Sequence, residues 1–194
     1  MKKLTLLSVM ASLCLVTNSQ TSHIQPLLTG ERLPDIRFNS IINYGGHTAS
    51  LAGFQKNYTR LVLLDFWHTT CIPCIKSFTK LDSLQLEFGE KMQILLVTTE
   101  DSNTVKHTLA RWEIANKRKL SIPIITNDSL LSSYIRRGYN PHYAWVAPDG
   151  VLLAQTNITF INREMISQYL KTTINAVEQR GFKERDIKRN LKTN

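Results

Sequence analysis

Leu61 to Phe66 (LVLLDF) is a nearly continuous apolar run broken by one charge, the pattern of a central strand buried on both faces. From Cys71 to Phe88 the period changes. Ile75, Phe78, Leu81, Leu84 and Phe88 recur at three- and four-residue spacing, which predicts one buried helical face ending at Gly89. Gln93 to Thr99 (QILLVTT) predicts the next strand, and Ser102 to Lys119 a helix with Val105, Leu109 and Trp112 on one face. Ile122 to Thr126 reads as a strand, and Asp128 as the cap of a short helix that ends at Gly138. Tyr143 to Ala147 and Val151 to Gln155 flank Pro148-Asp149-Gly150, a strong hairpin turn. Arg163 to Glu178 closes the pattern as a helix carrying Met165, Ile166, Tyr169, Leu170 and Ile174 on one side. Upstream, residues 20–34 form a polar, proline-bearing lead-in. Asp35 to Tyr44 has the alternation of a hairpin, followed by a turn at Gly45-Gly46. The order β-α-β-α-β-α-β-β-α after a short N-terminal extension predicts a three-layer α/β domain with a mixed sheet.

Composition narrows this picture. A chain of 194 residues, 42% apolar and 20% charged, has the size and balance of one packed domain. The net charge of +9 raises nucleic acid as a partner, but no basic stripe with interleaved aromatics carries it. Two of the charges, Lys2 and Lys3, precede the apolar stretch Leu4 to Val16, which is too short to span a bilayer as a helix. That pattern is a secretory signal with its cut near Ser19–Gln20. Lipidation at Cys14 is disfavoured, because Leu13 stands where a small residue is expected. The organisation read from the chain is a signal peptide over 1–19, a domain over 20–177 and a basic tail over 178–194. Removing the signal leaves two cysteines, Cys71 and Cys74, in an oxidising compartment, so thiol–disulfide chemistry is the first question.

Cys71 and Cys74 stand at i and i+3 where the strand gives way to the helix, on one helical face and within reach of a disulfide. Unpaired N–H groups at the helix start favour a thiolate at Cys71, while Cys74 lies one turn inside and is more protected. Such an asymmetric pair can attack a disulfide with the outer sulfur and resolve with the inner one. Pro73 falls in the first turn, where its missing N–H costs little. Asp65, six residues before Cys71 on the buried strand, is expected to be a carboxyl of raised pKa and a proton acceptor for Cys74. A structural disulfide, or half of a zinc site recruiting His68 and His142, are the competing readings of the pair.

The stretch from Leu61 through Trp67-His68-Thr69-Thr70-Cys71-Ile72-Pro73-Cys74 resembles the active-site segment of thioredoxins. More closely, residues from about Gly30 to Val177 resemble the TlpA/ResA-like thiol–disulfide oxidoreductases of bacterial envelopes. The likeness includes Gly30 to Pro34, Leu51 to Phe54, and Asn140-Pro141 followed by Pro148-Asp149-Gly150. It implies a thioredoxin-like fold with a strand–helix insertion, Cys71 as nucleophile and Cys74 as resolving cysteine. It also implies Trp67 beside the dithiol as part of the substrate-binding groove, and Pro141 as a cis-proline whose neighbour Asn140 binds an extended substrate through its backbone. His142 is a further candidate for that groove. The chain departs from many envelope relatives at Ser77, Thr79, Thr70 and His68, which weakens a role in cytochrome c maturation.

The expected function is therefore a periplasmic thiol–disulfide oxidoreductase, reducing rather than oxidising, because Ile72 offers no thiolate-stabilising charge between the cysteines. No cofactor is expected. Partners are protein thiols or disulfides and a membrane electron donor, with no nucleic acid, and the chain is expected to act as a monomer. A peroxiredoxin needs Pro-x-x-x-Thr/Ser-x-x-Cys, and neither cysteine has it. The alternative from another class is a copper-handling metallochaperone using the two cysteines and a histidine.

Overall fold

A computed structural model describes residues 24–55 and 60–179. The expected signal segment, residues 1–19, and residues 180–194 of the expected basic tail lie outside the described residues.

The apolar run forms β4 (Leu61–Phe66), every residue of which is buried. It sits inside a six-stranded sheet of order β2-β6-β5-β4-β7-β8, with β2 at Ile41–Ile42, β5 at Met92–Val97, β6 at Ile124–Ile125, β7 at His142–Val146 and β8 at Leu152–Thr156. The β4–β5 and β5–β6 pairs are parallel, and the other three are antiparallel. The sheet is mixed, as the late hairpin requires. Its tight turn puts Gly150 at φ +87°, a conformation open to glycine.

Side-chain alternation along β4 builds both cores. Leu61, Leu63 and Trp67 join α2 (Ile72–Phe88), α3 (Ser102–Asn116) and α5 (Arg163–Gln179) in one apolar cluster. Val62, Leu64 and Phe66 join the other. That second cluster is closed by the N-terminal segment, α1 (Leu51–Gln55) and α4 (Leu130–Tyr134). The result is the three-layer architecture that the element order implies.

Several boundaries differ from the sequence expectation. No hairpin forms over Asp35 to Tyr44. β1 (Arg37–Phe38) pairs instead with β3 (Ala49–Ser50) in a separate two-stranded sheet, whereas β2 pairs with β6 on the main sheet edge. The two short alternating segments serve different sheets, which local pattern does not encode. Helix α3 stops at Asn116, because Lys117 adopts φ +51° and its N–H returns to Glu113 and Ile114 carbonyls. The strand expected over Ile122 to Thr126 pairs only at Ile124–Ile125, and α4 ends four residues before Gly138. Asp128 does hold the start of α4, accepting from the Leu131 and Ser132 N–H groups at 3.0 and 2.8 Å.

Candidate functional site

The site gathers at the carboxyl end of β4. Cys71 is the N-cap of α2, in extended conformation, and Pro73 occupies the first turn. The Cys71 N–H donates to the His68 carbonyl at 2.9 Å, tying the loop to the helix start. Cys71 and Cys74 form a disulfide with Cα atoms 5.3 Å apart. The Cys74 N–H points at Cys71 Sγ, 3.3 Å away. A helix N-terminus with a donor aimed at the outer sulfur stabilises a thiolate there once the bond is opened. The sulfurs differ in access: Cys71 is 5% exposed and Cys74 is 0%.

The opposing wall comes from β7. The Asn140–Pro141 peptide is cis. The rung Phe66↔His142 joins β4 to β7, so Pro141 lies one position beyond it, facing the loop that leads to Cys71. With its amide nitrogen turned inward, the Asn140 side chain donates to the Phe66 and Tyr139 carbonyls at 3.0 and 3.1 Å. Ile72 and Tyr139 stand exposed on the two sides of this region.

Asp65 is fully buried, on the face of β4 that carries Leu63 and Trp67 into the cluster holding both cysteines. Burial drives its carboxyl well above the ordinary value of 3.8, and the Tyr143 hydroxyl opposes this in part. Tyr143 is directly opposite Asp65 in the β4–β7 ladder. The tyrosine is close enough to act on the carboxyl, yet neither carboxylate oxygen nor the phenol hydroxyl closes a well-aligned hydrogen bond. Burial likewise pushes the Tyr143 phenol upward.

Trp67 is also buried. It meets Phe78 edge-on at 5.0 Å, in the same cluster as both cysteines. With 3% of its surface exposed, it presents little of its ring to solvent. His142 is buried too, with Nε2 2.9 Å from Gln155 Oε1 and its ring against Tyr139 at 5.3 Å. Burial lowers its pKa, the Gln155 bond partly offsets this, and the Arg137 charge lowers it further. His68 stays in the loop, 2.7 Å from the Thr70 hydroxyl through Nδ1. Among the described residues no group of three or more His, Cys, Asp or Glu could hold a metal ion.

Glu100 is a residue that the sequence reading missed. Its carboxylate accepts from both the N–H and the hydroxyl of Thr69 at 2.7 Å, fastening the loop that carries Cys71. A signal for it exists. Phe66 and Val97 are partners in the parallel β4–β5 pair. Thr69 and Glu100 each lie three residues further on, so a hydroxyl and a carboxylate leave the same sheet edge together. The sequence pattern marks Tyr143 only as the start of a strand, and the pairing register sets it opposite Asp65.

No protein-family model matches the chain, and no curated protein matches it. Solved structures do. The thioredoxin domain of a thiol-disulfide oxidoreductase from Bacteroides vulgatus is 22% identical with a TM-score of 0.53, over 76% of this chain and 99% of that one. An exposed lipoprotein thioredoxin from Streptococcus pneumoniae is 23% identical with a TM-score of 0.53, over 72% of this chain and 99% of that one. The fold is thioredoxin-like. A reduced 2-Cys peroxiredoxin from Plasmodium vivax also superposes, at 16% identity and a TM-score of 0.57 over 80% of this chain and 86% of that one. A thioredoxin-like fold thus hosts more than one thiol chemistry, and the site has to choose between them.

Proposed function

We propose that the protein is a thiol–disulfide oxidoreductase that works through Cys71 and Cys74. The observation that carries this reading is the asymmetric dithiol at the N-terminus of α2, linked as a disulfide, with a buried carboxyl on the strand that leads into it. In the reducing direction the Cys71 thiolate attacks a substrate disulfide, forming a mixed disulfide and releasing one substrate thiolate. Cys74 then attacks Cys71 Sγ as its proton passes to Asp65. The second substrate thiolate leaves and takes a proton from water. Two electrons have moved from the dithiol to the substrate, and the Cys71–Cys74 disulfide is restored. The Asn140–Pro141 wall is the place for an extended substrate backbone, and Ile72 and Tyr139 offer apolar contact beside it.

The finer reading is an exported, reductive protein of the bacterial envelope. Residues 1–19 have the form of a secretory signal, and no charge sits between the cysteines to favour a strong oxidant. A reductant there draws its electrons from a membrane donor. Metal handling is the weaker reading, because His68 Nδ1 is engaged by Thr70 and His142 Nε2 by Gln155.

A redox titration of the purified protein tests the proposal, with Cys71–Cys74 followed by thiol alkylation and peptide mass. A reversible two-electron couple near the thioredoxin value, about −270 mV, is expected. A dithiol that resists oxidation and retains copper would overturn it.

A further inference from the structure

Asp65 has two neighbours across the sheet on its own face. The register sets it between Leu96 of β5 and Tyr143 of β7. Leu96 has no polar atom, so Tyr143 is the polar neighbour that the sheet supplies. On the far side of Tyr143 the register places Thr156 of β8, whose hydroxyl already accepts from the Trp145 indole N–H at 2.8 Å. The Asp65 carboxyl and the Ser77 hydroxyl are the polar groups that act on the Tyr143 hydroxyl, and neither closes a hydrogen bond with it. Ser77 is buried on α2, one turn past Cys74, and donates its proton to the Cys74 carbonyl at 2.6 Å. Its oxygen can therefore only accept from Tyr143.

The titratable group facing Asp65 is Tyr143 from β7, and Tyr143 shares its buried cluster with the Cys71–Cys74 disulfide of α2. Met92, Ile94 and Leu96 of β5, Val105, Leu109 and Trp112 of α3, and Ile166 of α5 make the rest of that cluster apolar. Tyr169 of α5 packs at its margin, stacked on Trp145 at 4.3 Å. In the disulfide form both Asp65 oxygens and the Tyr143 hydroxyl remain without a closed bond. Polar atoms left so deep in an apolar layer carry a desolvation cost that a structural role does not explain.

We propose that Tyr143 is a positioning residue that serves both protonation states of Asp65 by reversing its hydrogen bond. When Asp65 is ionised, Tyr143 donates to the carboxylate. When Asp65 is protonated, the new carboxylic O–H donates to Tyr143 Oη, and the phenol proton turns to Ser77 Oγ. Tyr143 keeps its own proton throughout. The proton gained by Asp65 is the one that Cys74 loses as its sulfur bonds to Cys71, so the step needs no further reactant. This inference rests on the reading of Asp65 as the acceptor for Cys74.

The test is a titration of Asp65 by carbon NMR in aspartate-labelled, disulfide-form protein, with Asp65→Asn identifying the resonance. Tyr143→Phe removes both bonds, the charge-assisted one to the ionised form and the weaker neutral one to the protonated form; the stronger loss sets the sign, and the midpoint rises by about one pH unit, a tenfold change in proton affinity. Ser77→Ala removes the acceptor that serves the protonated form and lowers the midpoint. Opposite directions are the signature, since a merely structural role would move neither or both alike. Unchanged midpoints, or shifts of the same sign, would overturn the inference. If Tyr143→Phe does not fold, Ser77→Ala decides alone: a fall supports the inference, and a rise or no change overturns it. The resonance reads Asp65 whether or not the protein exchanges disulfides, so a failure of the oxidoreductase reading would show separately, as absent exchange by the unmodified protein.

Discussion

Two carboxylates are buried within the layer of α2, and they have opposite surroundings. Asp82 is ion-paired with Arg118 and accepts from the Ser121 N–H and hydroxyl at 3.2 and 2.6 Å. Asp65 is buried as deeply and closes no hydrogen bond. A buried charge is tolerated when its lone pairs are answered, and an unanswered carboxyl holds its proton instead. The first arrangement joins α2 to the segment after α3. The second leaves a carboxyl of raised pKa on the strand that leads into the disulfide. Burial alone does not separate structure from chemistry, but the state of the partners does.

The largest effect expected from breaking this contrast is on exchange kinetics. Asp65→Asn removes a general base and should slow the resolving step by about 100-fold, or about 2.7 kcal/mol on its barrier. Stopped-flow release of thiol from a mixed disulfide measures this. The same variant should be more stable than the parent at neutral pH. A carboxyl raised by folding binds its proton more tightly in the native state, so its stabilisation is complete below its unfolded pKa. That stabilisation is lost as pH rises from there through the native value. Denaturant midpoints of the parent should therefore fall relative to Asp65→Asn from about pH 4 upward.

Asp82→Ala is the converse. Leaving Arg118 and Ser121 unanswered should cost about 2 kcal/mol in urea unfolding, reduced from the fully buried case because Arg118 is partly exposed. The pH dependence of exchange should not change. Glu100→Ala frees the Thr69 N–H and hydroxyl together and should cost about 1 kcal/mol of stability. Faster hydrogen exchange confined to the loop from His68 to Cys71 would locate the loss.

The smallest effect belongs to His142. Its pKa is lowered, so the unfolded chain binds the proton more readily, and stability falls as pH drops below about 6.5. His142→Gln should flatten that limb of the thermal midpoint profile.

Much of this contrast was legible in the sequence. The run LVLLDF placed a lone carboxylate on a buried strand, and the spacing of Cys71 and Cys74 placed a sulfur pair at a helix start. The period of Ile75, Phe78 and Leu81 showed which face of α2 meets the sheet. Partners across strands were not legible. That Tyr143 faces Asp65 depends on an antiparallel register between segments far apart in the chain. That Glu100 holds Thr69 depends on the parallel pairing of β4 with β5. The short segments near Arg37 and Ile41 misled because two-residue strands carry little pattern, and their sheet is decided by what the rest of the fold leaves open. Trp67 and His142 looked like groove residues from their positions beside Cys71 and Pro141, but both rings turn inward.

The central claim is that the sulfurs divide the work, with Cys71 attacking and Cys74 resolving. Its most direct test is to incubate Cys74→Ser and Cys71→Ser separately with a disulfide-bonded peptide and weigh the products intact, assigning the linked cysteine by peptide mapping. The account predicts a stable mixed disulfide on Cys71 in Cys74→Ser, and none on Cys74 in Cys71→Ser. Equal capture by both cysteines, or capture by Cys74 alone, would contradict it.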